Sequence, residues 1–291
     1  MSLILRRLHL PQSIHFRWVL TMTHSYDQLA TSAEAYADSP GSGFFRRLLA
    51  ASAADWHVSP RAILLLWSLP AVIFISTLGC RLISKDWFKR LTGEDGIMEN
   101  FQAFLFFAAM LLALAIARNF QKRGEPSIAI FYFIVSSGLL FVVGEEISWG
   151  QRLFDWNTPE FMGSINLQNE TTLHNIAGVY IAFKWIKMLV GAYGAFLPLA
   201  LFHFNWSADN RKLTAHMVPH ASLAPYFAFL FLWTGYRIFF EPPKGYYFTI
   251  SELSEVAELI FAMGVALFMI YQWKRSRAAA GRGCPAGSRR P

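Results

Sequence analysis

The chain has 291 residues, 54% of them hydrophobic and 16% aromatic, and a formal net charge of +7. Gathered into several near-continuous runs of about 20 residues, that apolar content excludes an ordinary soluble domain and points to an all-α, polytopic transmembrane helical bundle. The basic residues cluster beside the apolar runs, as membrane topology requires, so the charge does not argue for nucleic acid as a partner.

In chain order, residues 1–60 read as an N-terminal cytoplasmic or interfacial segment. Arg6, Arg7, His9, Pro11, His15 and Arg17 interrupt the apolar residues before Val19, and no signal-peptide core with a cleavage site is evident. Asp38–Gly43 is a polar, turn-rich linker. Phe44–Trp56 is expected to form a short interfacial helix with Arg46 and Arg47 toward headgroups. Residues 61–273 form the transmembrane domain, with about six spans. The first, Ala62–Leu82, contains Pro70 and is expected to kink there. The second covers Phe101–Ala117. The third, Ile128–Val143, continues as helix into Glu145 and Glu146. The fourth starts near Leu173, ends near Phe202 and holds Lys184 and Lys187. The fifth, Val218–Phe240, is stopped by Pro242 and Pro243, and the sixth is Ser251–Trp273. Residues 274–291 read as a disordered basic tail.

Sidedness follows from the span-flanking cations. With both termini cytoplasmic, the inner flanks hold Arg46, Arg47, Arg61, Arg118, Lys122, Arg123, Arg211, Lys212, Lys274, Arg275, Arg277 and Arg282. The outer flanks hold fewer: Arg81, Lys85, Lys89, Arg90, Arg152, Arg237 and Lys244. This orientation sends the end of the third span, the loop after it and the start of the last span outward. It also places Cys80 and Cys284 on opposite sides, which disfavours a disulfide between them.

Chemistry concentrates in Val143–Arg152, VGEEISWGQR. A carboxylate near hydrocarbon is costly, so Glu145 and Glu146 are expected to be paired, to face a wet cavity or to serve a function. If the helix continues, Glu145, Ser148, Trp149 and Arg152 share one face. His174, in TTLHN, is expected in the first turn of the fourth helix, capped by Thr171 or Thr172. A helix N-terminus favours neutral imidazole, suited to metal binding or proton acceptance. In the last span, Thr249 and Glu252 fit a capping box. Glu258 lies about 13 Å into that helix and Lys184 about 16 Å into the fourth, so Glu258 is expected to pair with Lys184 or Lys187. Arg237 and Glu241 have the spacing of a helical ion pair closing the fifth span.

These readings bring Glu145, Glu146, Asp155, Glu170, His174, Glu255 and Glu258 to one outward-facing hollow. Glu145, Glu146 and His174 could hold a divalent metal and its water, or run metal-free acid/base hydrolysis. The bland alternative is a salt-bridged helix end at the interface.

The GEEISWGQR motif, the Asn169–Asn175 segment ending in Leu-His-Asn, and GEDGIMENFQA before the second span resemble a group of uncharacterised bacterial integral membrane proteins. That resemblance implies a multi-pass protein of the bacterial inner membrane and no particular activity. A more partial likeness is to the CAAX-type intramembrane proteases, which use a Glu-Glu pair, an arginine and later histidines. Here Arg152 follows at a longer spacing, and His203, His216 and His220 fall on the inner side.

The functional expectation is a hydrolase or transferase acting on a lipid or lipid-linked substrate. Glu145 or Glu146 would be base or metal ligand, His174 a second ligand or proton shuttle, and Arg152 an anion clamp, with Glu255, Glu258 and Lys184 as supporting charges. The alternatives are a proton-coupled transporter and a non-catalytic membrane subunit. Oligomeric state is open.

Overall fold

A computed structural model describes residues 43–93, 96–176, 178–204 and 215–281. The expectations for residues 1–42, for Arg211 and Lys212, and for Arg282 and Cys284 lie outside the described residues. The chain divides into two compact units, Met1–Leu66 and Trp67–Pro291. In the first, α1 (Phe44–Trp56) covers the residues expected for the short helix. Leu48, Ala50 and Ala53 are buried, and Arg46 and Arg47 are exposed. His57, at φ 55°, ends it. The boundary between the units falls within α2 (Pro60–Ile83), a helix that carries Pro70 in its interior.

The second unit continues with α3 (Lys85–Thr92), α4 (Ile97–Lys122) and α5 (Pro126–Glu146). Two short helices follow, α6 (Gln151–Phe154) and α7 (Glu160–Ile165). Then come α8 (Val179–His203), α9 (Ala224–Phe239) and α10 (Tyr247–Gly281). Among the described residues all regular structure is helical, apart from one isolated bridge between Asn166 and Ile176. Five helices are long and apolar enough to cross a membrane. They expose large apolar side chains such as Leu65, Ile75, Leu111, Ile134, Leu189 and Phe196. Helices that are apolar all round need lipid or protein on every side, and the architecture is that of a multi-pass membrane protein.

The expected fifth span is the exception. Its regular helix, α9, has 16 residues, about 24 Å of rise. A separate 3-10 turn at Ala221–Leu223 precedes it. At the other limit, α10 runs on to Gly281, so residues 274–281, expected as disordered tail, are helical. Contacts explain this extension. Arg275 donates to the Ala215 carbonyl at 2.6 Å, and Ser276 accepts from Asn119 at 3.3 Å.

Packing follows an order that differs from sequence. α4 pairs with α5, α8 pairs with α9, and α10 lies against both α4 and α9. The central helix therefore joins two antiparallel hairpins. Its inner residues Leu253, Val256, Ala257 and Ile260 are buried. The α8–α9 pair is close because α8 presents glycine. A Cβ on Gly191 would lie 2.7 Å from the Phe231 amide nitrogen, and one on Gly194 would overlap the Phe227 ring. Small residues at such contacts let helix backbones approach where no hydrophobic drive separates helix from lipid. At the end of the bundle that holds His216, burial and the nearby Arg275 hold that imidazole below its usual pKa. Its Nδ1 lies 3.3 Å from Gln272 Oε1. This is a packing network, remote from the charged residues of the opposite helix ends.

Gly191→Ala is expected to destabilise the protein by about 1–3 kcal/mol, because backbone blocks the new methyl. Gly235→Ala, whose Cβ would meet only Met188 Sδ at 3.8 Å, is expected to be neutral. Thermal unfolding in detergent separates the two, and equal melting temperatures would contradict this packing.

Candidate functional site

The third long helix stays apolar to Gly144 and then ends on Glu145 and Glu146. Beyond Ile147 the backbone turns left-handed at three residues in succession: Ser148 (φ 48°), Trp149 (φ 53°) and Gly150 (φ 85°). Helix therefore does not run on to Arg152, and the single face expected for Glu145, Ser148, Trp149 and Arg152 does not form. Non-glycine residues adopt this conformation at a cost of about 1–2 kcal/mol each. The contacts of Trp149 offset it. The reversed chain lays the indole over Gly144, where a Cβ would be only 2.9 Å from the ring. Its Nε1 donates to Glu145 Oε1 at 2.7 Å. Ser148 turns the other way and donates to Glu170 Oε2 at 3.1 Å. Arg152 falls in α6, and its side chain lies outside the described residues.

A second segment meets this turn. Asn166 is its organiser: Oδ1 accepts from the amides of Gln168 and Glu170, and Nδ2 donates to the Thr172 carbonyl at 2.7 Å. Thr171 Oγ1 donates to the Ser148 carbonyl at 2.8 Å, and its amide donates to Gln151 Oε1 at 3.0 Å. Held at both points, the segment aims the amides of Leu173 and His174 at Glu145 Oε2, at 2.8 and 2.9 Å. The His174 ring nitrogen Nδ1 lies 2.9 Å from the same oxygen. His174 is thus in a loop, not in a first helical turn capped by Thr171 or Thr172. Gly178 (φ 85°) separates it from α8, which begins at Val179. The sequence reading started that helix too early because the apolar composition of 173–183 hides the glycine.

Under this loop is a cavity of about 330 Å³. Its wall takes Glu99 from α4, Glu145 and Glu146 from α5, Lys184 and Lys187 from α8, Arg237 from α9, and Glu255 and Glu258 from α10. Glu170 and His174 line it from the loop. Asp155, exposed and outside this set, does not converge with them. Gln102 Nε2 donates to Glu146 Oε2. Lys187 Nζ pairs with Glu258 Oε2 at 2.6 Å. The pairing expected for Glu258 therefore forms with the deeper lysine. Starting α8 at Val179 leaves Lys184 only about 8 Å in, and Lys187 about 12 Å.

Two expected local pairs do not form. Thr249 lies inside α10, where its Oγ1 accepts from Arg81 at 3.1 Å, and Glu252 accepts from Thr92 at 3.0 Å, so there is no capping box. Arg237 makes no ion pair with Glu241. α9 ends at Phe239, and extended Phe240 (φ −128°) takes Glu241 out of helical register. Among the described residues, no three of His, Cys, Asp and Glu are placed to hold a metal together. In the expected ligand set, Glu145 and His174 are bonded to each other while Glu146 turns to Gln102.

Glu145 and His174 form a hydrogen-bonded pair at the cavity wall. A carboxylate only accepts, so it holds a hydrogen on Nδ1, and in the neutral ring Nε2 keeps its lone pair. Among the described residues Nε2 has no protein partner. That is the arrangement of an oriented general base. The sequence reading missed Gln102 and the role of Arg237. A lone amide inside the apolar run 101–117 was the available signal for the first. Comparison with protein-family models, curated proteins and solved structures gives no match for this chain.

Glu145→Ala removes the acceptor of four hydrogen bonds and is expected to cost about 3 kcal/mol or more, since hydrogen bonds to a charged group are among the stronger ones. Limited proteolysis should then cut within 147–178 while the long helices stay intact. An uncut loop would contradict its dependence on Glu145.

Proposed function

We propose that this is a six-pass enzyme of the bacterial inner membrane, with both termini cytoplasmic and its cavity facing outward. It would act as a hydrolase or transferase on a lipid or lipid-linked substrate. One observation carries this reading: the Glu145–His174 pair at the wall of a charged cavity, with Nε2 unengaged. His174 takes the proton of an attacking water or hydroxyl as that oxygen bonds to the substrate's acyl or phosphoryl centre. Glu145 holds the ring in its tautomer and steadies the imidazolium that forms. Glu146 or Glu255, from the wall of the same cavity, would pass the proton taken by His174 on to the leaving group. Bound to each other, Glu145 and His174 Nδ1 suit acid/base catalysis better than shared metal ligation.

The exposed apolar helix surfaces support a substrate that arrives from the bilayer, and the GEEISWGQR likeness supports the bacterial inner membrane. A proton-coupled carrier would draw on the Lys187–Glu258 pair, which lies inside the bundle. Against it, α10 carries no charged residue from Leu259 to Trp273, so no relay continues along that helix.

Lipid extracts from cells expressing the full chain, compared by mass spectrometry, test the proposal. Wild type should deplete one lipid class and raise its cleaved or transferred product. His174→Ala, confirmed to be in the membrane at equal level, should slow that conversion at least about 100-fold. Identical profiles for wild type and His174→Ala would overturn it.

A further inference from the structure

The cavity charges are divided between its walls. Carboxylates come from α4, α5 and α10, through Glu99, Glu146, Glu255 and Glu258. Three cations, Lys184, Lys187 and Arg237, come from the neighbouring pair α8 and α9. Of these, Lys187 is neutralised by Glu258. The other two are not. Among the described residues, Arg237 Nε and Nη1 are buried and have no hydrogen-bond partner. The guanidinium lies over the Tyr247 ring, 5.9 Å from its centroid. Lys184 Nζ sits 4.9 Å from the centroid of Tyr180, and among the described residues it makes no ion pair.

Two adjacent cations without carboxylates, one with buried N–H groups unsatisfied, form an incomplete arrangement. A buried donor left unpaired loses its hydration and gains nothing in return. An anion between them would supply acceptors to both donors, and a guanidinium edge matches two oxygens of a phosphate at once. The carboxylates on the facing helices would repel the same anion and so hold it against the α8–α9 wall. Beside each cation an apolar residue is exposed outside the cavity, Trp185 after Lys184 and Phe239 after Arg237. Their rings meet at 5.8 Å. Apolar chains can lie there while a charged group reaches inward.

We infer that Lys184 and Arg237 form a phosphate-binding subsite, which receives the phosphate of a lipid headgroup or free phosphate. The inference rests on the reading of this cavity as a substrate pocket and narrows the substrate to a phosphate-bearing class. Delipidated full-length protein in detergent, followed by native mass spectrometry, provides the test. The probes are dihexanoyl phosphatidic acid, inorganic phosphate and the neutral dihexanoyl glycerol. Wild type should bind the phosphatidic acid and not the glycerol lipid. Arg237→Gln and Lys184→Gln should each weaken that binding at least tenfold. Binding of inorganic phosphate alone, lost in the same variants, would support the subsite with free phosphate as its source. Should Arg237→Gln not fold, Lys184→Gln gives the answer by itself. Equal binding of the phosphatidic acid and the glycerol lipid, unchanged affinity in the variants, or no binding of either phosphate probe would overturn the inference. Turnover measured in parallel separates the two readings. Binding without turnover removes the catalytic reading and leaves the subsite. Turnover indifferent to both variants removes the subsite alone.

Discussion

The carboxylate of Glu145 holds the site together. It is 5% exposed and accepts from the Trp149 indole, the amides of Leu173 and His174, and the His174 ring. A charge buried at a helix end must be repaid by hydrogen bonds, and here each comes from a segment that would otherwise be free to move. The left-handed turn at Ser148–Gly150 delivers the indole, and the Asn166-centred loop delivers the two amides and the imidazole. Remove the acceptor and the loop loses its bonds to the end of α5, while the turn keeps the packing of the indole on Gly144.

The bundle supplies the other half of the arrangement. Close packing at Gly191 and Gly194 brings α8 against α9, and α10 bridges that hairpin to α4 and α5. All five helices then bring charged residues to one end, while long stretches of them stay apolar. Residues 103–117 of α4, 127–144 of α5 and 188–202 of α8 carry no Asp, Glu, Lys or Arg. Concentrating ionic groups this way lets them compensate one another, as Lys187 and Glu258 do, instead of facing lipid separately. Function, on this account, sits where the bundle is wet and the loop closes it.

Much of this was legible in the amino-acid order. Apolar run length located the long helices, and two glutamates at the end of one run located the site. Charges within two apolar helices pointed to a lysine partner for Glu258, although depth matched Lys184 and the pair forms with Lys187. What was not legible depended on backbone reversals. Continuing the helix through Ser148 and Trp149 was reasonable, because neither residue favours φ above zero; the tertiary contact of the indole with Gly144 overrides that preference. A fourth helix starting at Leu173 overlooks Gly178, and so gives His174 a helical turn and puts Lys184, not Lys187, at the depth of Glu258. Arg237 was assigned to Glu241 by spacing alone, which fails once the helix stops two residues after the arginine. In each case a break in the helix, at Ser148–Gly150, Gly178 or Phe240, decides the outcome.

The central claim is that Glu145 fixes the tautomer of His174 and leaves Nε2 free to take a proton. Nitrogen NMR of the full chain in nanodiscs, with ¹⁵N-histidine and assignment by His174→Gln, reads it directly. In the neutral form of the ring the His174 signals should show a protonated Nδ1 and an unprotonated Nε2, and Glu145→Gln should abolish that preference. A His174 ring protonated at Nε2 alone, or one indifferent to Glu145→Gln, would contradict the account.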